Sequence, residues 1–194
     1  MSSKPTVILA SSSPYKHRLM GRLPVDFDAV GPGVDETRRD GEAPIDLARR
    51  LAIDKARAVA NTHPNRIIIG SDQVAAIDGD ILGKPGSRRR AIEQLAALEG
   101  QTHRLITAVS VASSAGSIDS TVVEYEMEMR PLSRNQIERY VDDDTPLDCA
   151  GAYKIEAGGI RLFTATRGSD PTAIEGLALT RVWSLLLDAG IDDA

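Results

Sequence analysis

The chain has 194 residues, 42% hydrophobic and 26% charged, which is enough for a full hydrophobic core and ordinary for a water-soluble globular protein. A net charge of −5 argues against a nucleic-acid or anionic-membrane partner, so an anionic ligand would need a local basic pocket. The single cysteine, Cys149, excludes an internal disulfide, and the first apolar run, Val7-Ile8-Leu9-Ala10, is too short for a signal or a membrane span; a cytoplasmic protein with one domain over 1–194 is expected.

Thr6 to Ala10 reads as a buried first strand. Ser13-Pro14 supplies an N-cap and a proline at the first helical position, which predicts a helix to about Leu23. Ser11, Ser12 and Ser13 lie where amides of that helix start point outward, with Lys16 one turn in and His17 beside it. Serines so placed are more often plain caps, and otherwise a phosphate site. Residues 31–44, GPGVDETRRDGEAP, read as a long polar loop. Glu36 within it is a candidate second carboxylate for a metal, a signal with no weight by itself.

Residues 45–61 form an amphipathic helix. At about 100° per residue, Ile45, Leu47, Ala48, Leu51, Ala52, Ala58 and Val59 share one arc, while Asp46, Arg49, Arg50, Asp54, Arg57 and Asn61 take the other. Lys55 falls in the middle of the apolar arc. An ammonium is costly to desolvate without a partner, so Lys55 either snorkels to an edge or projects into a cleft holding negative charge. The second reading is favoured, and on it the loss of Lys55 should cost little stability.

Ile67-Ile68-Ile69-Gly70-Ser71 predicts a buried strand that carries Asp72 at its carboxyl end, the edge where open α/β sheets bind ligands. Asp78-Gly79, inside AIDGDIL, signals a tight hairpin. That turn would bring back Lys84 of Gly83-Lys84-Pro85, so that Asp72 and Lys84 face one cleft. A carboxylate able to hold a metal, opposed by a cation, suits phosphate chemistry; the bland alternative is a strand-ending Asp and a surface Lys.

A helix over about 87–99 is closed by Gly100. Strands near 103–112 and 120–130 follow, joined by SSAGS. The second alternates Thr121, Val123, Tyr125, Met127 and Met129 with Val122, Glu124, Glu126, Glu128 and Arg130. Its three carboxylates could bind metal, but period-2 alternation is what a strand with one solvated face shows, and that reading is preferred. Helices near 133–142 and 177–189 flank an irregular Gly-rich segment. This order is neither a βαβ repeat nor a meander and favours a mixed sheet packed by helices. No P-loop, G-x-G-x-x-G fingerprint, G-x-S-x-G elbow or zinc-ligand spacing among His17, His63 and His103 is present.

ILASSSPYKHRLM at 8–20, VDET at 34–37, GSDQV at 70–74, GKP at 83–85, HRLITAVSV at 103–111 and CAGAYKIEAGGI at 149–160 occur together and in order. This set resembles the Maf family of nucleotide pyrophosphatases, from the first strand to about residue 180. The resemblance implies a two-lobed mixed-sheet α/β fold related to the inosine triphosphate pyrophosphatases, with a central cleft and a homodimeric tendency. It implies hydrolysis of nucleoside triphosphates to the monophosphate and pyrophosphate with a divalent cation, Mg²⁺ or Mn²⁺.

By the same resemblance, Asp72 matches the catalytic proton acceptor, and Glu36 with Asp72 the metal-associated carboxylates. Lys55, Lys84, Ser11 and Ser13 match the phosphate-binding residues. Lys16 stands where the pattern usually has arginine, keeping the charge and losing the planar fork. Ser71-Asp72-Gln73 departs from the Ala-Asp-Thr of the dTTP/UTP branch. With Tyr15 and Glu156 it resembles the branch acting on 7-methyl-GTP. The alternatives are action on dTTP, UTP or another modified nucleotide, or nucleotide-binding regulation of cell division.

Overall fold

The computed structural model describes residues 7–113 and 115–191; Thr6 of the first expected strand and Ser114 of the SSAGS turn lie outside them. In chain order the elements are β1 (Val7–Ala10), α1 (Pro14–Met20), β2 (Phe27–Ala29), α2 (Pro44–Ala60), β3 (Ile67–Ile77) and β4 (Asp80–Leu82). Then come α3 (Arg88–Leu98), β5 (Thr102–Ala112), β6 (Ile118–Met129), α4 (Arg134–Asp144), β7 (Phe163–Gly168) and α5 (Leu179–Asp188). The strands form one sheet in the order β2-β1-β3-β5-β6-β7, with β4 paired to β3. β1 runs parallel to both β2 and β3, while β3–β4 and β6–β7 are antiparallel. The mixed sheet expected from the element order is therefore present.

The parallel strands are joined through α1 and α2, as parallel pairing requires a crossover. β1 has neighbours on both sides and is buried throughout, which is why its sequence, VILA, is apolar without alternation. On one face, Ile8, Ala10, Ile68 and Ala112 form a core with Ala56 and Val59 of α2. The hairpin at Asp78-Gly79 has the positive φ values, 50° and 89°, that a type I′ turn needs, and it pairs Ile77 with Asp80.

The chain folds as two compact units. The first comprises Met1–Asp72, Thr107–Val123 and Asp170–Ala194; the second comprises Gln73–Ile106 and Glu124–Ser169. In the second, α3 packs on α4 and Arg88 clamps Asp142 at 2.6 and 2.9 Å. Ser133 and Gln136 form a capping box at the start of α4. His103, Tyr153 and Phe163 make a buried aromatic cluster there.

Two expectations are corrected, and one strand is added. The strand through Asp72 does not end there but continues to Ile77, because the hairpin gives its second half a partner in β4. β2 was not anticipated; it is only three residues long, with a charged residue, Asp28, at its centre. The segment between the last two helices is not wholly irregular: it contains β7, paired with β6. In β6 itself, Val123, Tyr125, Met127 and Met129 are buried. Glu124 and Glu128 pair with Arg104 and Arg167 at 2.8 and 2.9 Å, as expected of a solvated face.

Candidate active site

Asp72 owes its position to the unequal lengths of β1 and β3. Their parallel register ends at Ala10↔Gly70, so β3 carries Ser71 and Asp72 past the end of β1, to the carboxyl edge of the parallel pairing. By strand alternation, Asp72 points to the same face as Ile68 and Gly70, the face that α2 covers. Lys55 of α2 meets it there, with Nζ 2.7 Å from Asp72 Oδ1.

Each of the two is 8% exposed, so this is a buried pair. The ammonium also lies 2.6 Å from Glu36 Oε1. The lysine in the apolar arc of the helix is thus explained by two carboxylates. Burial pushes the Lys55 pKa down, but Asp72 and Glu36 outweigh it and hold the group above its ordinary value.

Glu36 comes from the polar loop, and the loop is fastened on both sides of it. The Asp35 carboxylate accepts hydrogen bonds from Thr37 N and Oγ1 at 2.9 and 2.6 Å, which lowers the Asp35 pKa. Arg50 of α2 donates to the Thr37 carbonyl at 3.0 Å and grips Glu42 at 2.6 and 2.9 Å. That bidentate contact pushes the Glu42 pKa down to about 2. Arg50 and Lys55 belong to one helix, so the helix that presents the ammonium also anchors the loop that presents Glu36.

Lys16 of α1 donates through Nζ to the Ser71 carbonyl at 2.7 Å, one residue before Asp72. Ser13 caps α1, its Oγ accepting from Lys16 N at 3.4 Å, and Ser11 Oγ accepts from Ser13 N at 3.1 Å. Ser13 is thus the N-cap of α1, and Ser11 bonds the amide of that cap. Tyr15 is half-buried, and the Arg18 guanidinium lies over its ring at 5.8 Å.

The other expected site residues belong to the second unit. Lys84 is exposed after the hairpin, Gln73 is half-buried immediately after Asp72, and Glu156 is half-buried in the turn region before β7. Glu156 lies near Cys149, whose thiol is pushed up to about 12 by burial, with the Asp148 and Glu156 carboxylates adding to it.

One cluster was missed in the sequence. Asp170 is fully buried and accepts four hydrogen bonds. Thr172 N and Oγ1 reach Oδ1 at 2.9 and 2.6 Å, and Thr180 N and Oγ1 reach Oδ2 at 2.9 and 2.7 Å. Burial raises the Asp170 pKa, but these bonds prevail and hold it below the usual carboxylate value. Asp35-Glu36-Thr37 and Asp170-Pro171-Thr172 share an Asp-x-Thr pattern, the signal of an Asx-turn.

Asp72 and Glu36 converge on one cation and offer oxygen ligands of the kind that hold Mg²⁺ or Mn²⁺. Among the described residues no group of three or more His, Cys, Asp or Glu is placed to hold a metal. A divalent ion at Asp72 and Glu36 would therefore draw its further ligands from phosphate and water, the usual situation for Mg²⁺ at nucleotides. The residues fit such an ion. The described residues also include no helix long and apolar enough to cross a membrane.

Comparison with known proteins bears on the fold and on the family. A solved HAM1 protein from Coxiella burnetii superposes with a TM-score of 0.51 at 17% identity, covering 94% of this chain and 98% of that one. The Ham1 protein of Staphylococcus aureus gives 0.52 at 15% identity with the same coverage; at these identities the likeness concerns the fold. In sequence, the chain is 49% identical over 186 residues to a 7-methyl-GTP pyrophosphatase of Xanthomonas axonopodis pv. citri, covering 96% of this chain and 97% of that protein. It is 43% identical over 189 residues to the protein of the same name in Pseudomonas aeruginosa, covering 97% and 98%. The profile of the Maf-like protein family matches residues 6–189, and with it the chain belongs to the Maf-like protein family.

Proposed function

We propose that the chain is a nucleoside triphosphate pyrophosphatase that cleaves the α–β anhydride of 7-methyl-GTP, releasing 7-methyl-GMP and pyrophosphate. The observation that carries this is the convergence of Asp72 and Glu36 on the Lys55 ammonium, at 2.7 and 2.6 Å: two carboxylates and a cation poised for phosphate chemistry. The names of its relatives, at 43 and 49% identity over nearly the whole chain, support the substrate.

In this reading Asp72 accepts the proton of the attacking water, and Asp72 with Glu36 holds a divalent cation, Mg²⁺ or Mn²⁺. When bound, that cation neutralises charge on the triphosphate oxygens. Lys16, Lys55 and Lys84 stabilise the charge that develops on the transferred and leaving groups, the main lever in phosphoryl chemistry. Ser11 and Ser13 line the phosphate loop.

Methylation at N7 makes guanine cationic. Tyr15 offers a π face to that cation, worth about 0.5–2 kcal/mol. Glu156 accepts charge-assisted hydrogen bonds from the base edge, and Gln73 sets the approach of the nucleotide beside Asp72.

The test is kcat/KM for 7-methyl-GTP, GTP, dTTP and UTP at fixed metal and pH, with pyrophosphate and orthophosphate both measured. 7-Methyl-GTP should lead, pyrophosphate should be the product, and Asp72→Asn should be nearly inactive yet folded. Higher activity on dTTP or UTP would overturn the substrate assignment; stepwise orthophosphate release would overturn α–β cleavage.

A further inference from the structure

Ser71 and Asp72 are consecutive on β3 and therefore point to opposite faces. Asp72 meets α2. The Ser71 hydroxyl, fully buried, donates to the Gly176 carbonyl at 3.1 Å. Two residues bonded to the same peptide unit are thus held from two sides, and the hold on the Ser71 side is built on Asp170.

The segment from Asp170 to Gly176 is a chain of short bonds. Ala173 N donates to Asp170 O, Glu175 N to Thr172 O and Gly176 N to Ala173 O, each at 3.0 Å. Its carbonyls face two strands: Gly176 O receives Ser71 of β3, and Ala173 O receives Thr107 Oγ1 of β5 at 2.8 Å. The Asp170 carboxylate ties this segment to α5 through Thr180, while Thr172 Oγ1 accepts from Leu179 N at 2.8 Å. The segment also faces α1, where Arg18 and Arg22 lie 4.0 and 3.8 Å from Glu175. A charged group with all four of its hydrogen bonds made inside the protein is a rigid anchor, because moving it would strand a buried carboxylate.

We propose that Asp170 is a positioning residue for the hydrolytic site: it fixes Gly176, Gly176 fixes Ser71, and the Ser71 peptide fixes both Lys16, held at its carbonyl, and Asp72, next in the chain. This rests on the pyrophosphatase reading for its kinetic expression and on the observed hydrogen bonds for its structural one. A relaxed Ser71 peptide releases the Lys16 ammonium and lets the Asp72 carboxylate drift, and misplacement of a reacting group by about 1 Å is enough to lower a rate a hundredfold.

Two variants test it. Asp170→Asn keeps the side-chain volume and removes the charge; Ser71→Ala removes only the hydroxyl that binds Gly176. Each is assayed with 7-methyl-GTP, and each is labelled with an amine-acylating reagent followed by mass spectrometry of Lys16.

In both folded variants kcat is expected to fall roughly ten- to a hundredfold, with a smaller change in KM, while Lys16 acylation rises relative to the other lysines. The double variant should be no worse than the poorer single one, because both changes cut one chain of contacts. Parental kcat with parental Lys16 labelling in folded Ser71→Ala overturns the proposal, and so do losses that add in the double variant. Failure of the parent protein to hydrolyse 7-methyl-GTP counts against the pyrophosphatase reading, and the Lys16 labelling then decides the coupling by itself.

Discussion

A Cβ placed on Gly70 would lie 2.1 Å from the carbonyl oxygen of Ala52 and 2.7 Å from the amide nitrogen of Ala56. Strand β3 and helix α2 are therefore closer than any side chain at this position allows. That approach lies two residues from Asp72 on the strand and between the two turns of helix that carry Ala52, Lys55 and Ala56. The glycine makes room for the pair that follows it.

Gly70→Ala should push α2 away from β3. Both contacts are with backbone, so no side-chain rotation relieves them, and the loss should reach about 3 kcal/mol, the upper end for overpacking. Urea unfolding measures it. Any folded fraction should have lost most activity as the Lys55–Asp72 contact opens; a Gly70→Ala protein with parental stability would show that the helix can retreat freely.

Lys55→Met keeps a four-atom apolar stem and removes the ammonium. The helical wheel by itself suggested little effect on stability. With Asp72 buried against Lys55 the expectation changes, since breaking one partner of a buried pair costs about 3 kcal/mol or more. Activity should fall roughly a hundredfold or more. Normal kinetics in a destabilised protein would make Lys55 purely structural.

Arg50→Lys should act on the Glu36 loop without touching Lys55 or Asp72. A single ammonium cannot reproduce the fork that grips Glu42 while also reaching the Thr37 carbonyl. The concentration of Mg²⁺ giving half-maximal activity should rise roughly tenfold, as when partners that orient a metal ligand are lost, and kcat at saturating Mg²⁺ should be largely recovered. An unchanged Mg²⁺ dependence would mean that Glu36 is held by Lys55 alone.

Acid should weaken the second unit through His103. Burial pushes its pKa down to about 4, against about 6.5 in the unfolded chain. Above pH 6.5 both states are neutral and His103 has no effect on stability. As pH falls from 6.5 to 4 the unfolded state takes up the proton first, so stability declines, by about 3 kcal/mol in total, and the decline stops below pH 4. The imidazole has Nε2 2.8 Å from Tyr153 Oη, and among the described residues its buried Nδ1 has no partner, so burial acts on the charged form uncompensated. The difference in unfolding free energy between parent and His103→Gln, followed from pH 7 to 4, should show this slope; parallel curves would refute it.

Lys55 was legible in the sequence because a cation in an apolar arc violates helical periodicity, and Asp72 because a run of isoleucines pointed to it. Glu36 was not legible from the residues alone. Its loop is fastened where Arg50 grips Glu42 and Thr37, contacts that span 8 and 13 residues and leave no periodic trace. β7 was hidden for a similar reason: FTATRG is short, half polar and preceded by a glycine pair, and it is a strand because β6 offers it an edge. Asp170 was passed over since Asp-Pro-Thr in a Gly-rich stretch looks like any surface turn, and nothing local announces that the carboxylate is fully buried.

The two Asp-x-Thr rings, at Asp35–Thr37 and Asp170–Thr172, close over a separation of two residues with the same pair of distances, 2.9 and 2.6 Å. So short a ring carries little closure entropy and needs no strand or helix already in place. The segments that bring Glu36 to Lys55 and Gly176 to Ser71 can therefore take their bends while the sheet is still unformed. Such local corners narrow the conformations that these two segments sample before their distant partners arrive.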